Sequence, residues 1–409
     1  MSEFRELYRN AIDLNRFSNG LARRLIRAYN DAVLDAVDQL RGIDELASPV
    51  KAARLRAILA QLNESLNSWA GASTASMTEE LQGLVVLQSE FAAEQLQKAL
   101  PAGSAAMVGT VEVSPAFAQA MVTTQPTMAG VVNLSDSFER IARNAVTFQL
   151  TLGQEISLPN GEVVRDAFSK MSARQAELFS MSVRNGLLEG QSTAAIVRRL
   201  KGRLTREQRG SIDTVIAAGG QATSIPNRQI KAIVRTSISQ VAAAANQIIA
   251  AENSDITRKY RYTAILDSRT SAICRALDGK IFTHGKGPLP PQHYNCRSIP
   301  VNIPRSLERE YRDIQDNYGE WFNDQDEATQ LDVLGPGRLG MWRGLVRRFG
   351  PTDAMRKFVG RDGTELTLEQ LRNRGYGSPA KEEAPASCPP KKPASKKKTA
   401  KTEEPKGDS

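Results

Sequence analysis

Apolar residues recur at helical spacing through the first hundred residues of the chain. From Leu7 to Leu40 an apolar side chain returns mostly every three or four positions, and the same pattern continues over Ala72–Leu100. Between these stretches, Ser48 and Pro49 combine a capping residue with a proline that suits the first turn of a helix. We therefore predict a helical N-terminal region.

A second set of helices is predicted downstream from signals for helix starts and stops. Gly190 and Gly202 stand where helices would end, because glycine readily adopts the left-handed conformation found there. The longest helix should run from Asn227 to Asn253, with one apolar stripe and an alanine run at 242–245 that allows close helix approach. Three residue pairs match the capping box that marks helix starts: Asp136 with Glu139, Ser172 with Gln175, and Thr205 with Gln208.

The hydrophobic period changes after this long helix. Tyr260–Leu266 is rich in β-branched and aromatic residues, and two more short strands are indicated at Lys280–Phe282 and Ile299–Ile303. A turn at Asp278-Gly279 lies beside them. The predicted fold class is α+β: predominantly α-helical, with a small sheet packed on helices in the central domain.

Composition divides the rest of the chain. Pro101–Asn133 has no clear period and favours an irregular arm, whereas helical patterns return at Leu307–Trp321 and Thr367–Arg374. The lysine- and proline-rich C-terminal tail has almost no apolar side chains, so it is predicted to be disordered. The predicted regions are residues 1–133 (helical, ending in the arm), 134–305 (central α+β domain), 306–378 (small helical extension) and 379–409 (basic tail).

The net charge of +9 is concentrated in two stretches. The tail holds eight lysines against five acidic residues, and Ala194–Arg235 holds nine Lys or Arg against two. Such clusters bind phosphate backbones without reading base sequence, by releasing counterions; the alternative is a merely solvated surface. The residues predicted to contact DNA are Arg198, Arg199, Lys201, Arg203, Arg206, Arg209, Lys391, Lys392, Lys396, Lys397, Lys398 and Lys401.

Composition also bears on the compartment. No stretch approaches the roughly 18 to 20 apolar residues of a membrane span, and the charged N-terminus differs from a signal peptide. Three cysteines cannot build a disulfide framework, and their scarcity suits a reducing compartment. We expect no membrane association and a location in the cytoplasm of the producing cell.

Scarce metal-ligand residues cluster in one short segment. Cys274, His284, His293 and Cys296 fall within 23 consecutive residues, although the chain has only two histidines and three cysteines. Tetrahedral zinc accepts such a mixture of sulfur and nitrogen ligands, so Cys274, His293 and Cys296 form a candidate zinc site. Fourth-ligand candidates are Asp267, Asp278 and His284. The alternative is a metal-free core with buried cysteines and a hydrogen-bonded histidine.

The same segment carries a distinctive motif. From Leu266 to Arg297 the chain reads L-D-S-R-T, then a cysteine, then L-D-G-K-x-F, then P-P-x-H-x-N-C-R. These pieces, in this order, resemble the central motif of the Mu F-like phage head-morphogenesis family. Weaker similarities on both sides extend the resemblance to about Asp136–Arg374. Many members end the motif with Cys-Arg-Cys, whereas Ser298 follows Arg297 here, which weakens the case for zinc.

The resemblance implies a minor capsid protein that is made beside the portal protein and carried in the phage head, where some members contact packaged DNA. We therefore expect a role in head assembly. The expected partners are the portal, other head proteins and non-specifically bound DNA. The expected location is the virion, after assembly in the bacterial cytoplasm.

The motif can also be interpreted structurally, without catalysis. Ser268 or Thr270 would cap a helix over Thr270–Leu277, and Asp278-Gly279 would supply a hairpin turn. Arg297 would pair with the carboxylate of Asp267 or Asp278 in a bidentate ion pair. Asp267 could also interact with Arg269. The proline-rich loop would be attached to the sheet by His293, Asn295 and Cys296.

The alternative function is a metal-dependent nuclease or hydrolase carried in the head. Asp267, Asp278 and His293 would then be metal ligands or bases. The sequence contains no phosphate-binding loop, nucleophile elbow or zinc-deaminase signature. A host regulatory DNA-binding protein would fit the charge but lacks a recognition module. We expect a protein without enzymatic activity.

Overall fold

Long helices make up most of the described chain. The computed structural model describes residues 2–42, 49–102, 107–110, 158, 164–207, 210–314, 317–361 and 363–376. Several predictions lie outside these ranges: most of the irregular arm, the Asp136 capping box, Arg209 and the whole tail. The helices up to the sheet are α1 (Ser2–Arg41), α2 (Pro49–Lys98), α3 (Val164–Leu188), α4 (Thr193–Lys201), α5 (Ile212–Ala218) and α6 (Ser224–Glu252).

Helix α6 is the centre of the main core. The apolar stripe predicted from the sequence is buried, and so is the alanine run at 242–245, against which neighbouring helices pack closely. Helices α1, α2 and α3 all contact α6. The helix spans Ser224–Glu252, so the prediction of Asn227–Asn253 is confirmed to within three residues.

The N-terminal helices share this core. The buried Tyr29 hydroxyl donates a hydrogen bond to the carbonyl oxygen of Ala222 at 2.9 Å. Trp69 packs edge-on against Tyr29 and Phe168, with ring centroids 5.2 and 5.4 Å apart, and its indole donates to the Leu25 carbonyl at 3.0 Å. Most of the apolar positions predicted along α1 and α2 are therefore buried against the central helices, whereas Ile12 is exposed.

A small antiparallel sheet follows α6. Its strands are β1 (Thr257–Thr263), β2 (Ile281–Thr283) and β3 (Ile299–Pro304), in the order β2-β1-β3. Tyr260 pairs with Phe282 on one side and Asn302 on the other. The sheet confirms the predicted α+β class. Strand β1 ends before the predicted Leu266 because the Ala264 amide donates to the Asp278 carboxylate rather than to a neighbouring strand.

Two predicted helix starts are wrong, and two predicted stops are confirmed. Ser172 lies inside α3, where its buried hydroxyl donates to Asn67 across the helix interface at 3.0 Å. Thr205 lies before α5, which begins after Ser211, whose hydroxyl accepts from the Thr214 amide. Helices α3 and α4 do end near Gly190 and Gly202, which have φ of +66° and +63°.

A second core lies in the C-terminal part of the described chain. Its elements after β3 are a 3₁₀ turn (Arg305–Leu307), α7 (Glu308–Asp313), α8 (Tyr318–Asn323), α9 (Glu327–Arg356), α10 (Leu368–Leu371) and a π-helical turn (Arg372–Tyr376). The predicted helix Leu307–Trp321 is thus broken into shorter pieces. Thr367 forms the capping box that opens α10. Helix α9 is kinked at Gly335 and Gly350, each followed by proline.

The remaining helix, αM (Ala272–Leu277), lies between β1 and β2 and carries Cys274. None of the described helices combines the length and apolar character needed to cross a membrane.

Candidate metal centre

Three elements bring the scarce residues of the motif together. Cys274 lies in αM, His293 in the loop after β2, and Cys296 shortly before β3. The two cysteine side chains are buried and His293 is partly buried. Ser271 caps αM by accepting from the Cys274 amide at 3.4 Å, whereas the predicted caps Ser268 and Thr270 do not.

The donor atoms of this cluster face one another. The Cys274 Sγ lies 3.2 Å from His293 Nε2 and 3.7 Å from Cys296 Sγ, and all three donor atoms lie within 4.8 Å of one another. Among the described residues this is the group of His, Cys, Asp and Glu side chains with the spacing to hold a metal ion. The Cys274-His293-Cys296 cluster therefore has the ligand types and the spacing of a candidate metal site.

The histidine ring is oriented by its backbone contact. His293 Nδ1 lies 2.7 Å from the Tyr294 carbonyl oxygen, which can only accept, so Nδ1 carries the hydrogen. In the neutral ring Nε2 then carries the lone pair, which lies toward the Cys274 sulfur, and it accepts from the Ser271 hydroxyl at 2.6 Å. Metal-binding histidines are commonly held in this way through the other ring nitrogen.

The cluster favours one thiolate. The hydrogen bond from Cys274 lowers the pKa of Cys296 well below its usual value and raises the pKa of Cys274, and His293 adds to the lowering at Cys296. Burial opposes the charge on His293, yet its hydrogen bond with Cys296 raises the His293 pKa overall. Tyr262, whose hydroxyl lies 3.2 Å from Cys274 Sγ, stays protonated because burial raises its pKa.

The proposed fourth ligands do not join the cluster. Asp267 forms a bidentate ion pair with Arg297, with both N–O distances 2.6 Å. It also accepts from the Arg269 amide at 3.0 Å. Asp278 and His284 likewise have other partners. Tyr262, Ser271 and Ser298 are polar side chains that lie beside the cluster.

Asp278 joins the two cores. One of its carboxylate oxygens accepts from the Ala264 amide at 2.6 Å and the other from the Tyr318 amide at 2.7 Å, at the start of α8. Burial raises the pKa of Asp278 to about 6. The predicted hairpin turn at Asp278-Gly279 is wrong, because Gly279, with φ of +75°, joins αM to β2.

Two further motif residues anchor the loop to α6. The backbone amide of Asn295 donates to the Thr236 hydroxyl at 3.0 Å. Asn295 has φ of +61°, a conformation that asparagine tolerates better than most residues. His284 lies against Gln247, with Nδ1–Oε1 of 3.1 Å, and burial lowers its pKa to about 4. Thr270 hydrogen-bonds to the Ile265 carbonyl.

Ion pairs in the folded chain neutralise part of the positive charge of the basic stretch around α4. Arg206 pairs with both Asp35 and Asp38 at 2.8 Å. Arg199 lies 3.6 Å from Glu189 and also bonds to the Ser182 carbonyl, and Lys201 donates to the Leu204 carbonyl at 3.1 Å. Within the described part of the chain, exposed Arg198 and Arg203 make no ion pair.

Sequence reasoning missed two residues of the centre. Ser271 could have been identified as the cap of αM, because a serine three positions before Cys274 fits an N-cap. Tyr262 carried no such signal, since its contact with Cys274 depends on how αM packs against β1.

A family model supports the resemblance. Residues 177–300 match the family described as phage Mu protein F like protein. The matched segment runs from α3 into β3 and so includes the whole cluster, although it spans less than a third of the chain. No curated protein and no solved structure matches the chain.

The match agrees with the class of protein that the sequence motif indicated, the phage Mu F-like proteins. Over this segment the chain is similar to Mu F-like proteins, which supports the resemblance seen in the motif.

Proposed function

We propose that the protein is a minor capsid protein that acts in head assembly, is carried in the virion, and contacts both the portal and packaged DNA. The observation that carries this proposal is the family match over residues 177–300, centred on the motif around Cys296. Assembly takes place in the host cytoplasm. The test is mass spectrometry of purified procapsids and virions; absence of the protein from both would contradict the proposal.

Portal docking is assigned to the N-terminal region, residues 1–133. Ile12 and Leu87 are 47% and 62% exposed, on α1 and α2. Both lie within two residues of the reciprocal Asn10–Gln88 hydrogen bonds that join these helices, so they are at the same end of the helix pair. Exposed apolar side chains at one end of a helix pair suit contact with another protein.

The docking proposal is tested by co-purification with the portal protein. The double variant Ile12→Ser and Leu87→Ser should reduce recovery of the portal. Met181→Ser, at a 47% exposed position on α3, provides the control and should leave recovery unchanged. Equal recovery of the portal with wild type, the double variant and the control would contradict a docking site at Ile12 and Leu87.

DNA contact is assigned to the lysines of the tail, with exposed Arg198 and Arg203 as the folded contribution of the α4 region. Arg199, Lys201 and Arg206 contribute less than their sequence suggests, because each is held by a partner. Binding through such residues is independent of base sequence and depends strongly on salt.

The Cys274-His293-Cys296 cluster is proposed to hold a structural zinc ion. Two sulfurs and one oriented imidazole nitrogen are the ligands that zinc prefers, and the buried thiolate matches its charge. Bound zinc would tie αM to the loop before β3. The hydrolase alternative gains no support, because Asp267 and Asp278 are engaged with Arg297 and backbone amides.

A further inference from the structure

An exposed aromatic side chain in the C-terminal core is surrounded by cations. Phe349 is 37% exposed and lies directly before the kink at Gly350 in α9. The guanidinium carbon of Arg348 lies 5.0 Å from the centre of the Phe349 ring, and the Lys357 ammonium lies 4.9 Å from it. The Tyr376 ring meets the same phenylalanine edge-on at 6.4 Å. We call these four residues the Phe349 surface.

The positive charge at this surface is not compensated. Residues 338–376 contain nine Lys or Arg against four Asp or Glu. Arg347 and Arg348 are exposed and directly precede Phe349 in the chain, and Arg372 and Arg374 are exposed close to Tyr376 in the chain. Among the residues that the structure describes, neither these arginines nor Lys357 makes an ion pair, in contrast to Arg206 with its two aspartates.

The ring fixes where the cations lie. A cation over an aromatic face is attracted by the ring quadrupole, so Phe349 holds the long side chains of Arg348 and Lys357 near one place on the surface. Side chains that are ordered in advance lose less entropy when they bind a ligand. A site with prearranged cations suits a polyanion, and guanidinium groups match phosphate particularly well.

We propose that the Phe349 surface contacts the phosphodiester backbone of DNA. This inference rests on the proposed role in contacting packaged DNA, and it adds a contact site that the sequence did not indicate. The lysine-rich tail begins at Pro379, three residues after Tyr376, so a short stretch of sequence links its eight lysines to this surface. The surface and the tail would then bind neighbouring phosphates on one duplex.

The test compares two full-length triple variants with equal loss of charge. The surface variant carries Arg347→Gln, Arg348→Gln and Lys357→Gln. The control variant carries Arg23→Gln, Arg27→Gln and Arg56→Gln, at exposed positions on α1 and α2. Fluorescence anisotropy with a short random-sequence DNA duplex gives the affinity across about 50 to 200 mM salt.

The surface variant should weaken DNA binding roughly tenfold at low salt and make the plot of log affinity against log salt shallower by about 2 to 3 units, since each phosphate contact adds about 0.9. The slope of the control variant should change by less than half of this amount. Unchanged circular dichroism and melting would establish that both variants fold. Equal affinity and slope for the two variants would overturn the proposal.

A second variant separates the ring from the charges. Phe349→Leu should lower affinity a few-fold with no change in salt slope, because the cations remain but are no longer held over an aromatic face, and Phe349→Tyr should retain the affinity. If the surface variant binds DNA normally but is lost from phage heads, the surface contacts an acidic protein instead and the proposal is wrong. Since DNA binding is measured on purified protein, this failure is distinct from absence of the wild-type protein from virions.

Discussion

Arg297 donates a hydrogen bond to Asp267 from each of its two terminal nitrogens, each 2.6 Å from a carboxylate oxygen. The pair joins the residue after Cys296 to the loop that leaves β1, and the Tyr318 hydroxyl donates to the Asp267 carbonyl from α8. The two ends of the family motif are thereby held together beside the candidate metal centre.

Loss of this ion pair should destabilise the protein. Arg297→Ala is expected to lower the free energy of unfolding by about 2 kcal/mol, because two charge-assisted hydrogen bonds are lost at a partly buried site. Arg297→Lys should lose less, since lysine keeps the charge but not the bidentate geometry. Urea denaturation measures both.

A matched control for this prediction is Arg16→Ala, which removes an exposed ion pair with Asp13 and should leave stability unchanged within error. Burial opposes the ionisation of Asp267, yet Arg297 holds its pKa below the usual value. The stabilisation should therefore be present above the usual pKa of aspartate and lost as the pH falls through the lower folded value. A stability difference between wild type and Arg297→Ala that does not shrink in acid would contradict this.

The contribution of Asp278 to stability should have the opposite pH dependence to that of Asp267. Its folded pKa is raised from 3.8 to about 6, so ionising it in the folded state is unfavourable. Its contribution to stability is greatest below the unfolded pKa and declines as the pH rises to about 6. Relative to Asp278→Asn, wild type should lose up to about 3 kcal/mol between pH 4 and pH 7. Urea denaturation across this range measures the difference, and a constant difference would contradict the prediction.

Zinc binding should be stoichiometric and stabilising. Elemental analysis is expected to give about one zinc per chain, and chelation should lower the melting temperature, because structural zinc adds directly to folding free energy. Cys296→Ala should abolish both effects. Cys388→Ala, which removes the third cysteine of the chain, should change neither. Metal-free protein whose melting is unaffected by a chelator would favour the metal-free core.

Removal of residues 379–409 should reduce the salt dependence of DNA binding by several units, because the deleted segment contains eight lysines. Duplex binding at several salt concentrations measures the slope. A tail with the same composition in shuffled order should restore it, since backbone binding depends on charge and not on tail sequence. Recovery of the portal should be unaffected. Full-length protein that does not bind duplex DNA at low salt would rule out the DNA role.

Local signals predicted much of the fold. The apolar stripe of α6, the glycine at the end of α4 and the capping box at Thr367 each depend on neighbours in sequence, and all three are confirmed. The capping pattern at Ser172 misled because its hydroxyl is used by Asn67, more than a hundred residues away in the chain. The kink at Gly350 was not predicted, although the proline that follows it is a local signal.

Prediction of the candidate site had the same limit, because contacts between residues distant in the sequence could not be foreseen. The scarcity of cysteine and histidine was enough to select Cys274, His293 and Cys296, which the structure places together. Neutralisation of Arg206 by Asp35 and Asp38 could not be anticipated, because those residues lie far away on α1. The Phe349 surface was missed because Lys357 and Tyr376 reach the Phe349 ring only in the folded chain.

The hydrogen bond from Tyr29 to Ala222 has a consequence for synthesis, because it joins residues 193 positions apart. At about 5 to 20 residues per second, the ribosome needs roughly 10 to 40 seconds to add the intervening chain. During this time the apolar faces of α1 and α2 have emerged without α6, the helix that covers them. The nascent chain is therefore exposed to aggregation, and the burial of its N-terminal helices must wait until translation has passed the long central helix.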